Sequence, residues 1–272
     1  MRKSERVVIC NHELLKQCHL FLGITRVRNE SMLLPDTLAH VSAHVDAIVA
    51  YDDASTDTTL DILRREPKVA IVIRNSLWES TVPQRLLAET RHRGLLLQMA
   101  RSKLKFKWVY CFDADERIVG DVRQFLCSSK AANFDGLRVQ LFDAYMTSDD
   151  HTPYVSGERL LDFRRWFGPE RRDILMLWRN NRHVQYKGLD AREPSGVEKT
   201  MVHFHCQHYG KSISIEQWEE TCNYYVQHFP AETYGLKWLA RKGMAIHEKS
   251  DFARDLRLWG EELFENSISI HP

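Results

Sequence analysis

Short apolar runs alternate with longer amphipathic segments through the first half of the chain. The runs are typical of buried strands and lie at residues 20–27, 47–53, 69–74 and 108–112. The segments between them carry apolar residues at helical spacing and predict helices over residues 30–45, 55–66 and 83–103. Ser55 is the predicted N-cap of the second of these helices. Strands and helices that alternate at this spacing predict an α/β protein with a parallel, doubly wound sheet.

The pattern changes from about residue 136 onward. Strands are predicted over 136–146 and 174–180, and Ser214 with Gln217 forms a capping box at the start of a helix over 214–229. The last segment, residues 250–264, has apolar residues at helical spacing and predicts an amphipathic helix. Its apolar stripe consists of Phe252, Leu256, Trp259 and Leu263. We expect this stripe to cover the core, while pairing with a second subunit and contact with a membrane surface remain open.

Two of the predicted strands end in carboxylates. Asp52 and Asp53 close the run 47–53, and "DADE", residues 113–116, follows the run 108–112. Ligands of doubly wound sheets bind outside the carboxyl ends of the strands. The sequence therefore predicts one acidic site at one edge of the sheet.

The carboxylates of "DADE" suit a divalent metal ion. Mg²⁺ and Mn²⁺ prefer oxygen ligands, and their sites usually combine one or two carboxylates with substrate phosphates. Asp113 and Asp115 are the predicted ligands, with a solvated turn as the alternative. Asp52 and Asp53 could accept hydrogen bonds from a ribose hydroxyl or a base N–H, or could have no role in binding.

Composition narrows the class of protein. The formal net charge of +1 gives no basic excess, which argues against nucleic acid as a partner. No apolar run is long enough to span a bilayer, and the apolar stretch near the N-terminus is too short for a signal peptide. The six cysteines include no CxxC pair and predict reduced thiols. We expect a cytoplasmic protein, and peripheral association with a membrane stays open.

Three motifs together resemble the family 2 glycosyltransferases. They are "ITRVRNE" at 24–30, "AYDDASTDTT" at 50–59 and "VYCFDADE" at 109–116. The resemblance implies the GT-A fold, with a Rossmann-like, mostly parallel sheet flanked by helices and a C-terminal acceptor side. It also implies one continuous domain, in which residues 1–135 form the donor-binding half and residues 136–272 form the acceptor-side half.

The resemblance assigns roles to individual residues. Asp52 or Asp53 would hold the uracil or ribose of a nucleotide-sugar, and Asp113 with Asp115 would bind the metal that bridges the diphosphate. Arg74, at the end of the third strand, corresponds to a base-contacting position. The remaining residues assigned to the donor are Thr25, Arg28, Glu30 and Arg93.

"DADE" is similar to the subgroup that contains the lipopolysaccharide-core glucosyltransferases. That subgroup also carries a late stretch similar to "LWRNNRHVQYKGLDAREP" at 177–194, although its "HE" position here is "LDARE". Inverting sugar transfer needs a carboxylate that takes the proton of the acceptor hydroxyl. Asp190 is the first candidate for this base and Glu193 the second, with Asp149 and Asp150 as rivals.

Two further stretches carry candidate ligands. In "HFHCQH", residues 203–208, His203 and His205 share one face of a predicted strand, and His205 is the predicted third metal ligand. A structural zinc, or histidines that merely pack against aromatic residues, are the alternatives. "RRWFGPERR", residues 164–172, could bind a diphosphate or a phosphorylated acceptor, or could be a solvated basic loop.

These observations predict a metal-dependent, inverting glycosyltransferase that uses Mn²⁺ or Mg²⁺. It would move a sugar from a nucleoside-diphosphate sugar, with UDP favoured, to a hydroxyl of a glycan or lipid-linked saccharide. A homodimer is left open. One alternative is a nucleotidyltransferase, although the chain lacks the glycine-rich loop that such enzymes usually carry near the first strand. The other is an inactive carbohydrate-binding or scaffolding domain.

Overall fold

A computed structural model describes residues 1–270, and within them the strands form one eleven-stranded sheet. The strands are β1 Glu5–Ile9, β2 Cys18–Val27, β3 Ala47–Asp53, β4 Val69–Asn75, β5 Lys105–Cys111, β6 Glu116–Val119, β7 Gly136–Ala144, β8 Trp166–Arg179, β9 Thr200–His208, β10 Arg257–Leu258 and β11 Ile268–Ser269. The helices are α1 Leu34–Ser42, α2 Thr59–Arg65, α3 Val82–Lys103, α4 Val122–Leu126, α5 Ile215–His228, α6 Leu236–Leu239 and α7 Glu261–Glu265.

The predicted α/β class, with a parallel central sheet flanked by helices, is confirmed. The strand order is β1-β4-β3-β2-β5-β8-β7-β9-β6, and β10 and β11 both pair with β8. Strands β4, β3, β2 and β5 are parallel neighbours. Strand β8 runs antiparallel to both β5 and β7, so the sheet continues without a break from the first half of the chain into the second.

The central strands bury both faces, which explains their uninterrupted apolar runs. Successive side chains of a strand point to opposite faces. In β3, Ile48 and Ala50 therefore pack with α1 and α2, while Val49 and Tyr51 pack on the α3 side. Helix α3 supplies Leu96, Leu97 and Ala100 to that second face.

Several boundaries differ from the prediction. Helix α2 begins at Thr59, so Ser55 is not its N-cap; instead, the backbone N–H of Ser55 donates to Asp52. Ser214 is confirmed as the N-cap of α5, since its side chain accepts from the Gln217 N–H at 3.1 Å. The basic stretch 164–172 is not a loop. Most of it belongs to β8, where residues 167–170 are buried while Arg171 and Arg172 are partly exposed.

The predicted amphipathic helix over 250–264 is wrong. The segment contains a turn, the short strand β10 and the start of α7. Leu263 is buried in a cluster that Trp259 packs against, whereas Phe252 is exposed. The apolar spacing therefore reflects separate contacts of an irregular chain, and only part of the stripe covers the core. No helix within residues 1–270 is long and apolar enough to cross a membrane.

Candidate functional site

An open cleft of about 730 Å³ lies beyond the carboxyl ends of β2 and β5. Its lining comes from the loop after β2, from Glu89 and Arg93 of α3 and from the turn after β5. Strands β7 and β8, the end of β9, the 190–192 segment and helix α5 complete it. The cleft thus lies where the parallel half of the sheet meets the mixed half, and both halves contribute side chains to it.

Asp113 lies in the turn after β5, between two arginines. Arg93 donates to both of its carboxylate oxygens at 2.9 and 3.1 Å, and Arg192 Nε lies 3.5 Å from Oδ2. Burial by itself would raise the pKa of Asp113, but Arg192 and Arg93 outweigh it and lower the pKa to about 2. Asp113 therefore stays ionised, with a side chain that is 33% exposed to the cleft.

Arg192 joins two parts of the turn and was missed by the sequence analysis. Its guanidinium donates to both oxygens of Glu116 at 2.9 and 2.7 Å, and it also faces Asp113. A planar guanidinium can bind two carboxylates at once, which fixes the shape of the turn. The sequence predicted roles for the two acids of "LDARE". In the structure, the arginine between them is the residue that contacts the "DADE" turn.

Asp115 faces a histidine at the end of β9. His208 Nε2 lies 3.3 Å from Asp115 Oδ2, and His208 Nδ1 lies 2.6 Å from Asp143 Oδ1. Burial disfavours the charged imidazole, but Asp115 and Asp143 outweigh it and raise the pKa of His208 to about 10. Lys211 and Arg172 also pair with Asp143, and the pKa of that carboxyl lies well below its usual value because these cations outweigh burial.

The residues around Asp115 fit a divalent metal ion. Within residues 1–270 no three His, Cys, Asp or Glu side chains are arranged to hold a metal by themselves. Ions such as Mg²⁺ commonly take one or two protein ligands and complete their shell with phosphates and water. Neighbouring ligands around an ion with bonds of about 2.0–2.2 Å stand roughly 3 Å apart, close to the 3.3 Å between Asp115 and His208. Asp143 is the carboxylate that would orient the histidine.

His205 lies elsewhere, and this corrects the predicted ligand set. Its ring stacks on Phe264 with centroids 3.7 Å apart, and burial lowers its pKa. His203 stacks on Phe125 in the same way. Because His205 and His208 are three positions apart in β9, they point to opposite faces of the strand. Sequence alone does not show which face of β9 is turned toward the cleft, so it could not distinguish His208 from His205 as the ligand.

Asp190 also lines the cleft, next to α3. The Tyr234 hydroxyl donates to Asp190 Oδ2 at 2.7 Å, and the Asp190 backbone N–H donates to the Leu86 carbonyl at 2.8 Å. Asp190 has a positive φ of 50°, a conformation that Asp tolerates better than most residues. Tyr224, Tyr225 and Phe229 of the α5 region form an aromatic wall beside it.

The other candidate bases lie outside this cleft. Glu193 forms a two-pronged ion pair with Arg138 at 2.7 and 3.0 Å and accepts from the Leu175 N–H. It therefore holds two strands together rather than facing the cleft. Asp150 pairs with Arg164, and Asp149 pairs with Arg165. None of these three carboxylates lines the cleft, so we remove Glu193 from the candidate catalytic residues.

Asp53 is buried beneath the cleft rather than in its wall. Its side chain is 1% exposed and pairs with Arg85 at 3.0 Å, with Asn75 donating at 3.3 Å. Burial opposes its ionisation, but His92, Arg26 and Arg85 together lower its pKa. Burial also lowers the pKa of His92, to about 3, so the arginines provide the positive charge at neutral pH.

Asp52 points to the other face of β3. One oxygen accepts from the Ser55 N–H at 3.1 Å, and the second oxygen has no hydrogen-bond partner in the described structure. Burial raises its pKa. Neither Asp52 nor Asp53 reaches the cleft surface, so we also remove both from the donor-contacting set.

The remaining predicted donor residues separate into two groups. Arg28 and Glu30 line the cleft. Arg28 donates to the carbonyls of Asp53 and Ala54 and lies over the Trp78 ring at 4.3 Å, while burial with Asp115 and Asp113 raises the pKa of Glu30 to about 8. Thr25 is buried within β2 with an unpaired hydroxyl, and Arg74 is exposed on β4. Neither Thr25 nor Arg74 lines the cleft.

Comparison with solved structures finds similar folds at low sequence identity. TarS from S. aureus matches with 15% identity and a TM-score of 0.42, over 82% of this chain and 42% of the TarS chain. The mannosyltransferase PcManGT from Pyrobaculum calidifontis, in complex with GDP-Man and Mn²⁺, matches with 13% identity and a TM-score of 0.42, over 85% of this chain and 72% of its own. HddC from Yersinia pseudotuberculosis matches with 14% identity and a TM-score of 0.39, over 75% of this chain and 98% of its own.

These likenesses say nothing about activity, because the identities and the TM-scores are both low. The chain spans less than half of the length of the TarS chain. No family model and no curated protein sequence matches the chain.

Proposed function

We propose that this protein is a glycosyltransferase that uses a nucleoside-diphosphate sugar and a divalent metal ion. One observation carries the proposal: a single cleft combines the carboxylates of the "DADE" turn, several arginines and a further carboxylate, Asp190, beside aromatic rings. The carboxylates of the turn and the arginines suit a diphosphate with its metal ion. The further carboxylate and the aromatic rings suit an acceptor sugar, whose hydroxyl needs a base and whose apolar face packs on aromatic rings.

The donor diphosphate would lie between the "DADE" turn and the arginines of the cleft. Arg26, Arg28 and Arg172 line this part of the cleft and can donate to phosphate oxygens. Arg93 and Arg192 hold Asp113 in place, so their main role is to shape the turn. UDP is the favoured nucleotide on the resemblance to family 2 glycosyltransferases alone.

Asp115 and His208 are the residues that would hold the metal ion, with Asp143 fixing the orientation of the imidazole. When bound, such an ion supplies positive charge against the leaving diphosphate. His208 must lose a proton to act as a ligand, so metal binding would release a proton.

Asp190 would act as the general base for the acceptor hydroxyl. It lines the same cleft as Asp113, and the Tyr234 hydroxyl holds its carboxylate in one orientation. A base on the side of the sugar opposite the leaving diphosphate gives inversion at the anomeric carbon. The acceptor would be a glycan or a lipid-linked saccharide.

Nucleotide release tests this proposal. The protein is incubated with a panel of UDP-, GDP- and dTDP-sugars, with and without Mn²⁺, and free nucleoside diphosphate is measured. We expect slow, Mn²⁺-dependent release of one nucleoside diphosphate, faster with a suitable acceptor. Release of pyrophosphate from a nucleoside triphosphate and a sugar phosphate would instead indicate a nucleotidyltransferase. No turnover and no binding of any nucleotide-sugar would contradict the proposal.

A further inference from the structure

An apolar and basic surface follows directly after the wall of the cleft. We call residues 236–246, "LKWLARKGMAI", the α6 surface. Leu236, Leu239 and Met244 are 62%, 53% and 59% exposed, and Ile246 is also exposed. Large apolar side chains that are exposed close together, rather than singly, are typical of surfaces that bind another protein or a membrane.

The α6 surface is firmly seated on the protein. Trp238 is buried and stacks on Tyr225 of α5, with ring centroids 4.7 Å apart. The Trp218 indole N–H donates to the Arg241 carbonyl at 3.1 Å, and Ala245 is buried beside it. The exposed leucines and methionine therefore project into solvent from an ordered segment.

Basic side chains outnumber acidic ones on this surface. Residues 236–246 contain Lys237, Arg241 and Lys242 but no Asp or Glu, while Glu219 of α5 accepts from the Gly243 N–H at 2.7 Å. Arg241 pairs with Asp251 at 2.6 Å, whereas Lys237 and Lys242 form no ion pair with any residue of 1–270. Two exposed lysines thus accompany four exposed apolar side chains, a composition that complements an anionic surface with an apolar interior.

We propose that the α6 surface docks on an anionic phospholipid bilayer. The apolar side chains would enter the boundary between headgroups and acyl chains, and Lys237 and Lys242 would contact anionic headgroups, as in other interfacial helices. Docking would be reversible, because the apolar area is small and the charges are few.

The position of this surface links docking to the cleft. Tyr234, which holds Asp190, lies two residues before Leu236, and α5 carries both the aromatic wall and the platform for Trp238. A docked α6 surface would therefore hold the acceptor side of the cleft close to the lipid headgroups. This consequence rests on the proposed function and favours a lipid-linked acceptor, whereas docking itself does not depend on any activity.

Vesicle co-sedimentation tests docking without any turnover. Vesicles of phosphatidylcholine alone are compared with vesicles of equal parts phosphatidylcholine and phosphatidylglycerol. We expect binding to the anionic vesicles only, weakened by high salt. Each basic residue near an anionic surface contributes about 1 kcal/mol, so Lys237→Glu with Lys242→Glu should weaken binding at least about tenfold. Leu236→Ser with Leu239→Ser should also weaken it.

Matched controls change the same residue types at other sites. Lys103→Glu with Lys105→Glu alters two exposed lysines around the end of α3, and Leu258→Ser with Ile268→Ser alters two exposed apolar residues on β10 and β11. Both should bind vesicles as the wild type does. All variants alter exposed side chains, so their melting temperatures should match the wild type.

Three results would overturn the proposal. One is equal binding to neutral and anionic vesicles, and another is an equal loss in the control variants. The third is no vesicle binding together with a dimer that Leu236→Ser with Leu239→Ser dissociates in analytical ultracentrifugation. That last result would assign the α6 surface to a second copy of the chain. The proposed glycosyltransferase activity would stand or fall separately, on nucleotide release.

Discussion

The acidic ends of β3 and β5 look alike in sequence but differ in structure. Asp52 and Asp53 are the last two residues of β3, whereas Asp113 and Asp115 lie beyond β5, which ends at Cys111. Inside a strand, neighbouring side chains must point to opposite faces of the sheet. The first pair is therefore divided between two buried layers, while the second pair lies in a turn that opens into the cleft.

The surroundings of the two pairs differ accordingly. Asp53 is 1% exposed and is held by Arg85 and Asn75 within the protein. Asp115 is 25% exposed, lines the cleft and pairs with His208. A carboxylate that is fully paired inside the fold stabilises the fold, whereas one that looks into an open cleft can bind a ligand. We therefore expect Asp53 to stabilise the fold, and we propose Asp115 as the residue that binds a ligand.

The largest expected effect is on the rate of sugar transfer, and it separates Asp190 in the cleft from Glu193 outside it. Asp190→Asn should lower the single-turnover rate about 10²–10⁴-fold, the usual cost of removing a general base. Glu193→Gln should leave the rate of the folded protein near wild type, because Glu193 pairs with Arg138 outside the cleft. The donor dissociation constant should stay unchanged in both variants. An unchanged rate in Asp190→Asn would show that the base lies elsewhere.

The next effect concerns stability. Asp53→Ala leaves Arg85 buried without its carboxylate partner and should lower the free energy of unfolding by about 3–5 kcal/mol. Asp115→Ala should lower it less, because Asp115 is partly exposed and His208 keeps Asp143 as a partner. Urea unfolding followed by tryptophan fluorescence measures both values. Equal losses in the two variants would remove the distinction between a structural and a functional strand end.

A smaller effect is expected from the residue behind the proposed metal ligand. Asp143→Asn removes the charge that orients His208 and should weaken Mn²⁺ binding about 10–100-fold, as is usual for such supporting residues. Isothermal titration of Mn²⁺ in the presence of the nucleoside diphosphate measures this. His205→Ala is the matched control and should bind Mn²⁺ as the wild type does, since its ring stacks on Phe264. The reverse pattern would restore His205 as the ligand.

The smallest expected effect is on the pH dependence of stability, which Asp52 and Asp53 of β3 should change in opposite directions. The pKa of Asp53 is lowered from 3.8, so its contribution to stability is present above pH 3.8 and is lost as pH falls below that value. The pKa of Asp52 is raised from 3.8, so it favours folding at low pH and does so less as pH rises through its folded pKa. Asp53→Asn should therefore reduce the loss of stability in acid, and Asp52→Asn should increase it. Unfolding curves from pH 7 to about 3 would contradict this if both variants shifted in the same direction.

Much of the fold could be predicted from sequence because the strands of the parallel half are buried on both faces. Their apolar runs predicted the bounds of β3 correctly and the bounds of β2, β4 and β5 to within a few residues. The tail could not be predicted in this way. Phe252, Trp259 and Leu263 have helical spacing, but they belong to a turn, a loop and a short helix. Trp259 and Leu263 pack in a cluster with residues far away in sequence, such as Phe142 and Phe167.

The candidate site was predictable only in part, because it depends on contacts across long sequence separations. Asp113 and Asp115 could be found, since acids directly after an apolar strand are a local signal. Arg192 and His208 could not be chosen from local sequence, because their roles arise only when β9 and the 190–193 segment meet the "DADE" turn. The burial of Asp53 likewise depends on Arg85, which lies on another element.

Calorimetric titration of UDP, and of GDP or dTDP, tests the central claim most directly. It is performed on wild type, Asp115→Asn and Asp53→Asn, each with and without Mn²⁺ and each checked for folding. We predict Mn²⁺-dependent nucleotide binding to the wild type and to folded Asp53→Asn, and loss of the Mn²⁺-dependent part in Asp115→Asn. Full Mn²⁺-dependent binding by Asp115→Asn, together with its loss in Asp53→Asn, would contradict the account and move the donor site to the end of β3.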